Sequence, residues 1–191
     1  MKVLFIDSLG LFTYNLVEEF EKKDCEILVY RSNIDIKTID SVIKKFKPDL
    51  IVISGTGALK DSGNSIDVIR NYYEKIPIFG VGLGHQCIIE VFEGRVDRAP
   101  EIANGNSSKI RHDEKTIFKN LENPFSAGRY HSLAIIEVPY SFEVSARSEN
   151  DVVMGIRHKE FFVEGIQFNP SSILTPAGSQ IIENLIKEIK K

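Results

Sequence analysis

Residues 80–86, Gly-Val-Gly-Leu-Gly-His-Gln, form the segment best suited to hold a reactive side chain. The segment follows an apolar run at residues 76–79 that predicts a buried strand, and it precedes a predicted helix over residues 87–92. A strand that turns sharply into a helix, with glycines around the central residue, has the geometry of a nucleophile elbow. Such a turn holds its central residue strained, with the side chain in a cleft. The central residue here is Gly82, so the predicted elbow carries no nucleophile.

The two cysteines are the remaining candidates for a thiol nucleophile. Cys87 comes five positions after Gly82, and because a helix turns by about 100° and rises about 1.5 Å per residue, its side chain faces away from the elbow. Cys25 has no histidine near it in the sequence. Unpaired cysteines usually behave as small apolar side chains, so we expect both to lie in the core. Two cysteines also exclude a disulfide framework.

The four histidines predict no metal site, because none is paired with a carboxylate at helical spacing. We therefore expect no metal and no other cofactor. His131 is a hypothetical general base, which we disfavour because residue type alone does not establish that role.

Composition indicates a soluble globular protein with one domain, residues 1–191. The chain has 42% hydrophobic and 27% charged residues, which excludes a disordered chain. Its formal net charge is -3, so no overall positive field attracts nucleic acid or anionic lipid. No apolar run reaches the ~18 residues of a membrane span, and the N-terminus lacks a signal-peptide core. We therefore expect a cytoplasmic protein without nucleic-acid or membrane partners.

Short apolar runs alternate with amphipathic stretches through the first half of the chain, which is typical of βαβ units. Runs without polar alternation suit strands that helices cover on both faces, as in a parallel sheet. Beyond Arg98 the strand signals follow at short spacing and predict antiparallel additions to that sheet. We predict an α/β fold with a mostly parallel central sheet. The predicted strands are 3–6, 27–30, 50–53, 76–79, 109–111, 133–138, 142–146, 152–157 and 161–168, and the predicted helices are 14–20, 39–46, 87–92 and 177–189.

Six motifs along the chain carry a resemblance to one known family. They are Phe12-Thr13-Tyr14-Asn15-Leu16, Ile51-Val52-Ile53-Ser54 with Gly55 and Gly57, Gly84-His85-Gln86, Arg129-Tyr130-His131-Ser132-Leu133, Met154-Gly155-Ile156-Arg157-His158-Lys159-Glu160, and Glu164-Gly165-Ile166-Gln167-Phe168 before Pro170. On these motifs the chain resembles the class I (triad) glutamine amidotransferases, in particular the subunits of anthranilate synthase (component II) and aminodeoxychorismate synthase. The resemblance implies a flavodoxin-like fold, and it implies that the partner is a chorismate-using synthase subunit.

The resemblance also shows where the family's catalytic triad should lie. Active members use a cysteine at the centre of the elbow, a histidine in a Gln-Phe-His-Pro-Glu motif and the glutamate two residues later. The matching positions here are Gly82, Asn169 and Ser171. Glycine supplies no thiolate, an amide has no basic nitrogen, and a serine hydroxyl cannot hold an imidazolium as a carboxylate does. Our main hypothesis is therefore a subunit that has lost glutaminase activity and acts by binding its synthase partner.

Two other interpretations remain open at this stage. One is an active amidotransferase with a rearranged site, with Cys87 as its candidate nucleophile, that supplies ammonia from glutamine. The other is a sensor of amides or amino acids in the former substrate pocket. The resemblance implies that this pocket would bind glutamine through Gly55, Gly57, Leu83, Gln86, His131, Ser132 and Leu133. The chain departs from the family around the site at Asp7-Ser8-Leu9-Gly10-Leu11, at Ser54-Gly55-Thr56-Gly57 and at Ala103-Asn104-Gly105-Asn106.

Overall fold

Nine strands and five helices make up the computed structural model, which describes residues 1–191. The strands are β1 (Lys2–Ser8), β2 (Glu26–Arg31), β3 (Leu50–Gly55), β4 (Ile78–Gly82), β5 (Arg95–His112), β6 (Phe125–Glu137), β7 (Phe142–Ser148), β8 (Val153–His158) and β9 (Val163–Ile166). The helices are α1 (Thr13–Glu21), α2 (Ile36–Phe46), α3 (Ser65–Tyr72), α4 (Leu83–Val91) and α5 (Gly178–Ile189).

All nine strands belong to one sheet, in the order β2-β1-β3-β4-β9-β8-β7-β5-β6. The first five pair in parallel and the remaining four pair antiparallel. This arrangement confirms the predicted α/β fold with a parallel centre and antiparallel additions. Strand β3, the middle strand of the parallel part, shows why the sequence favours this fold, because all six of its residues are buried and none of them carries a charge.

The sheet separates two hydrophobic cores. Along the parallel strands, side chains point alternately into one core and into the other. In β1, Val3 and Phe5 pack into a core of 25 buried residues with α1 and α5. Leu4 and Ile6 face the other side, in a core of 18 buried residues with α2, α3 and α4. Successive strand side chains point to opposite faces, so a run of apolar residues serves both cores. None of the five helices combines the length and the apolar content that a membrane span requires.

Several predicted element boundaries were wrong. Strand β5 has 18 residues, whereas the sequence predicted only 109–111, and three register shifts interrupt its pairing with β6. Such bulges break the alternation on which strand prediction depends. Helix α3 was not predicted, α4 begins at Leu83 rather than at residue 87, and β9 ends at Ile166 rather than at residue 168.

The carboxyl ends of β1, β3, β4 and β9 meet at one edge of the sheet. Parallel pairing brings Ser8 beside Gly55, and Gly55 beside Gly82. The segments that follow these strands therefore converge there, at the position where α/β sheets usually bind ligands.

Candidate functional site

The turn between β4 and α4 has the backbone of a nucleophile elbow without a side chain. Gly82 has φ +62° and ψ −110°, a conformation that L residues rarely adopt. A Cβ placed on Gly82 would lie 2.9 Å from the carbonyl oxygen of Gly55 and would meet no other atom within 4 Å. A side chain at this position would thus point into open space beside the carboxyl end of β3.

Asn169 and Ser171 form a hydrogen-bonded pair beside this turn. The backbone N–H and the hydroxyl of Ser171 both donate to Oδ1 of Asn169, at 2.9 and 2.8 Å. The backbone N–H of Asn169 donates to the carbonyl oxygen of Gly128 on β6 at 3.0 Å. Thr175 also stabilises this segment, because its hydroxyl donates to the carbonyl oxygen of Asn169 at 2.7 Å. Neither side chain of this pair contains a group that titrates near neutral pH.

Gly82 and Asn169 line one small cavity at the carboxyl edge of the sheet. Its volume is about 40 Å³, which is room for about three water molecules and far below the roughly 300–1,000 Å³ of a typical ligand pocket. None of its residues has a thiol, an imidazole, a carboxylate or any charge. The lining is formed by Gly10, Leu11, Phe12, Leu16, Ser54, Gly55, Thr56, Val81, Gly82, Tyr130, Gln167, Phe168 and Asn169.

Of the seven residues predicted to bind glutamine, only Gly55 lines this cavity. Gln86 is buried behind it, where its side-chain amide donates to Oε1 of Gln167 at 2.9 Å and to the carbonyl oxygen of Leu133 at 3.3 Å. Through Gln167 the structure connects Gln86 to the cavity wall. The remaining predicted residues do not line the cavity: Leu83 begins α4, Gly57 is exposed after β3, and His131, Ser132 and Leu133 lie in β6.

His131 has no ring nitrogen available to accept a proton. Nε of Arg129 donates to Nε2 of His131 at 3.1 Å, so the ring proton lies on Nδ1 and is donated to the carbonyl oxygen of Leu133 at 2.8 Å. Burial lowers the pKa of His131 to about 4, which keeps the ring neutral. These contacts do not support the hypothesis that His131 is a general base.

Cys87 is a core residue, as the sequence predicted. Its side chain is fully buried in the core that contains α2, α3 and α4. Burial raises the pKa of the Cys87 thiol to about 12, so the reactive thiolate does not form near neutral pH. The prediction for Cys25 was wrong in degree, because this side chain is only half-buried against the core. No group of three or more His, Cys, Asp or Glu side chains is placed to hold a metal ion.

Sequence reasoning missed the apolar walls of the cavity. Leu11 and Leu16 come from one segment and Phe168 from another, and the ring of Phe12 packs on Tyr130 with centroids 4.8 Å apart. The signal that could have found these walls is an absence of charge. Residues 8–17 and 165–182 contain no Asp, Glu, Lys or Arg in a chain that is 27% charged.

Comparison with known families agrees with this architecture. The sequence profile of the class-I glutamine amidotransferases matches residues 4–189. The chain therefore belongs to the class-I glutamine amidotransferase family.

Similar proteins with known names include synthase components. The chain is 42% identical over 192 residues to the aminodeoxychorismate/anthranilate synthase component 2 of Bacillus subtilis, covering 99% of this chain and 97% of that protein. It is 42% identical over 196 residues to anthranilate synthase component 2 of Methanocaldococcus jannaschii, covering 97% and 96%. A multifunctional tryptophan biosynthesis protein of Pichia angusta is 44% identical over 188 residues, and there the chain spans only 50% of the relative's length.

Solved structures share the fold at lower identity. A protein from Thermoplasma acidophilum, described as a candidate GMP synthase component, superposes with a TM-score of 0.87 at 23% identity, covering 100% of this chain and 94% of that one. A glutamine amidotransferase from Thermotoga maritima gives a TM-score of 0.77 at 13% identity, covering 99% and 97%.

Proposed function

We propose that this chain is an amidotransferase-fold subunit that hydrolyses no glutamine and acts by binding a chorismate-using synthase component. The observation that carries the proposal is the set of side-chain types present at and beside the cavity at Gly82. A glutaminase of this family needs a thiolate, a base and a carboxylate, and the corresponding positions hold no side chain, an amide and a hydroxyl. Removing a nucleophile together with its base eliminates the covalent route as a unit.

The partner is inferred from the relatives. Two of them are named as component 2 of anthranilate or aminodeoxychorismate synthase, and the chain spans almost their whole length. A component 2 implies a component 1, and at this identity we expect the scaffold that binds it to persist. A subunit without glutaminase activity would support a synthase that uses free ammonia.

The test is reconstitution with component 1 of anthranilate synthase and, separately, of aminodeoxychorismate synthase from the same organism. Size-exclusion chromatography with light scattering should show a complex with one of them. The complex should form product from chorismate with ammonium, and it should form none with glutamine as the only nitrogen source. Failure to bind either component, or product formed from glutamine, would refute the proposal.

A further inference from the structure

Two arginines lie directly opposite each other on the neighbouring strands β5 and β7. In this antiparallel pairing Arg111 is the partner of Arg147, and the adjacent residues Ile110 and Ala146 point into a hydrophobic core. Because side chains alternate along a strand, both guanidinium groups lie on the other face of the sheet. Directly opposed side chains have Cβ atoms about 4.5–5.5 Å apart, and like charges in such a pair are destabilising. A bound anion would remove this repulsion.

Arg111 has no carboxylate paired with it. It is exposed and takes part in none of the ion pairs of the structure. Asp113, two residues further along β5, is already paired with Arg157. Arg147 donates to the carbonyl oxygen of Asp151 at 2.9 Å and lies 3.5 Å from the Asp151 carboxylate. The two nearby carboxylates are therefore engaged by other guanidinium groups.

A groove in two parts lies beside the two arginines. The first part has a volume of about 330 Å³, and both Arg111 and Arg147 line it. The second part has a volume of about 310 Å³ and is mostly apolar, with Ile136 and Val138 among its lining residues. Val144 and Arg147 line both parts, so the two are adjacent. Each part reaches the lower end of the roughly 300–1,000 Å³ that ligand pockets occupy.

Irregular strand pairing coincides with the first part of the groove. The register of β7 against β8 shifts twice, once between Val144 and Ala146 and once between Ala146 and Arg147. All three residues line the groove. Bulges of this kind change the direction of side chains, and they are over-represented next to functional sites. The distortion of the sheet and the arginine pair therefore lie at one place.

We propose that this groove binds a small organic carboxylate. The carboxylate lies between Arg111 and Arg147, and the apolar body of the ligand lies against Ile136 and Val138. Guanidinium groups bind carboxylates through charge-assisted and often paired hydrogen bonds, which makes arginine well suited to this role. The groove shares no lining residue with the cavity at Gly82. The proposal therefore goes beyond the proposed function and does not depend on it.

The first test uses benzoate, which combines a carboxylate with a flat apolar ring, and the purified full-length chain without a synthase component. Titration of isotope-labelled protein, followed by amide chemical shifts, should show saturable changes at Arg111, Val144 and Arg147. Benzamide has a similar shape without the charge, and acetate has the charge without the ring. Both should bind about fivefold more weakly than benzoate or worse, because each lacks one of the two interactions.

The second test compares variants in the same titration. Arg111→Gln and Arg147→Gln should each weaken benzoate binding by about fivefold or more, because each removes one guanidinium group. Ile136→Ser should weaken it by about threefold or more, because it removes part of the apolar wall. Arg70→Gln is the matched control, because Arg70 is an exposed arginine on α3 that does not line the groove. Its affinity for benzoate should stay within about twofold of the wild type.

Three results would overturn the proposal. The first is equal binding of benzoate by the wild type and both arginine variants, which would place the ligand elsewhere. The second is equal binding of benzamide and benzoate, which would show that the arginines do not recognise the charge. The third is a set of chemical shifts that change linearly and do not saturate up to about 50 mM benzoate, which would show non-specific contact only. None of these results bears on whether the chain binds a synthase component.

Discussion

At the level of single residues, glycine is the residue type best suited to the backbone conformation at position 82. The family resemblance places a cysteine at this position, and a side chain at φ +62° and ψ −110° would store strain. Glycine adopts this conformation without a Cβ clash. A glycine at this position therefore leaves the elbow without the strain that a side chain would store.

We expect Gly82→Ala to lower the free energy of unfolding by about 2 to 3 kcal/mol. The alanine would have an unfavourable φ, and in addition its Cβ would lie only 2.9 Å from the carbonyl oxygen of Gly55. Gly105→Ala is the matched control, because Gly105 has φ +81° but the nearest atom to its Cβ is 3.6 Å away. We expect Gly105→Ala to lower the free energy of unfolding, measured in urea, by about 1 kcal/mol, because only its φ is unfavourable. Equal losses in the two variants would contradict the steric argument.

Asn169 and Ser171 are compatible partners for hydrogen bonding. The serine hydroxyl donates to the asparagine side-chain oxygen at 2.8 Å, so neither of these two groups is left without a partner. An imidazole facing this serine would lack the carboxylate that holds it in position. The two side chains therefore form a hydrogen-bonded arrangement that contains no group able to exchange a proton near neutral pH.

At the level of elements, the segment after β9 depends on Thr175. The hydroxyl of Thr175 donates to the carbonyl oxygen of Asn169 at 2.7 Å and accepts from the backbone N–H of Gly128 at 3.0 Å. It thereby joins the end of the parallel sheet to β6, and it fixes the segment that carries Ile173.

We expect Thr175→Val to lower the free energy of unfolding by about 1 to 3 kcal/mol, because the buried N–H of Gly128 loses its acceptor. Thr38→Val on the exposed surface of α2 is the matched control and should change stability by less than about 0.5 kcal/mol. Chemical denaturation measures both. A loss in the control as large as that in Thr175→Val would show that the Thr175 hydrogen bonds stabilise nothing.

Elements with a local signal could be predicted from the sequence, whereas elements set by distant pairing could not. The runs at 50–53 and 76–79 predicted β3 and β4 because their apolar content reflects cover on both faces. Most of β5 was missed because its residues are polar and its pairing with β6 shifts register three times. The sharp turn at Gly82 was predicted from the sequence. The apolar walls of the cavity were not predicted, although the absence of charge in residues 8–17 and 165–182 was a signal for them. Leu16 lies in α1 and Phe168 follows β9, so these distant positions come to line one cavity only in the folded chain.

At the level of the whole molecule, Glu164 couples stability to pH. Its carboxylate is buried on β9, 3.9 Å from the guanidinium of Arg157, which also pairs with Asp113 and Glu143. Burial raises the pKa of Glu164 from 4.5 to about 7. Between these two pH values Glu164 is therefore protonated in the folded protein and ionised in the unfolded chain. The resulting stability is fully present below pH 4.5 and is lost as the pH rises through about 7.

We therefore expect Glu164→Gln to become more stable than the wild type as the pH rises from about 5 to about 8, by about 1 to 3 kcal/mol. The glutamine keeps the neutral form of the side chain at every pH. Urea unfolding at both pH values measures the difference, and Glu160→Gln on the exposed surface is the control. The expectation fails if the stability difference between variant and wild type is the same at both pH values.

The central claim, that the centre at Gly82 cannot hydrolyse glutamine, is tested most directly by glutamate release in the presence of the bound synthase component. We predict no release above background from the wild type, and none from Gly82→Cys alone, because the new thiol would have no base. The triple variant Gly82→Cys, Asn169→His, Ser171→Glu should release glutamate, since it restores thiol, imidazole and carboxylate together. Glutamate release by the wild-type chain, or a glutamyl adduct trapped on it, would contradict the account.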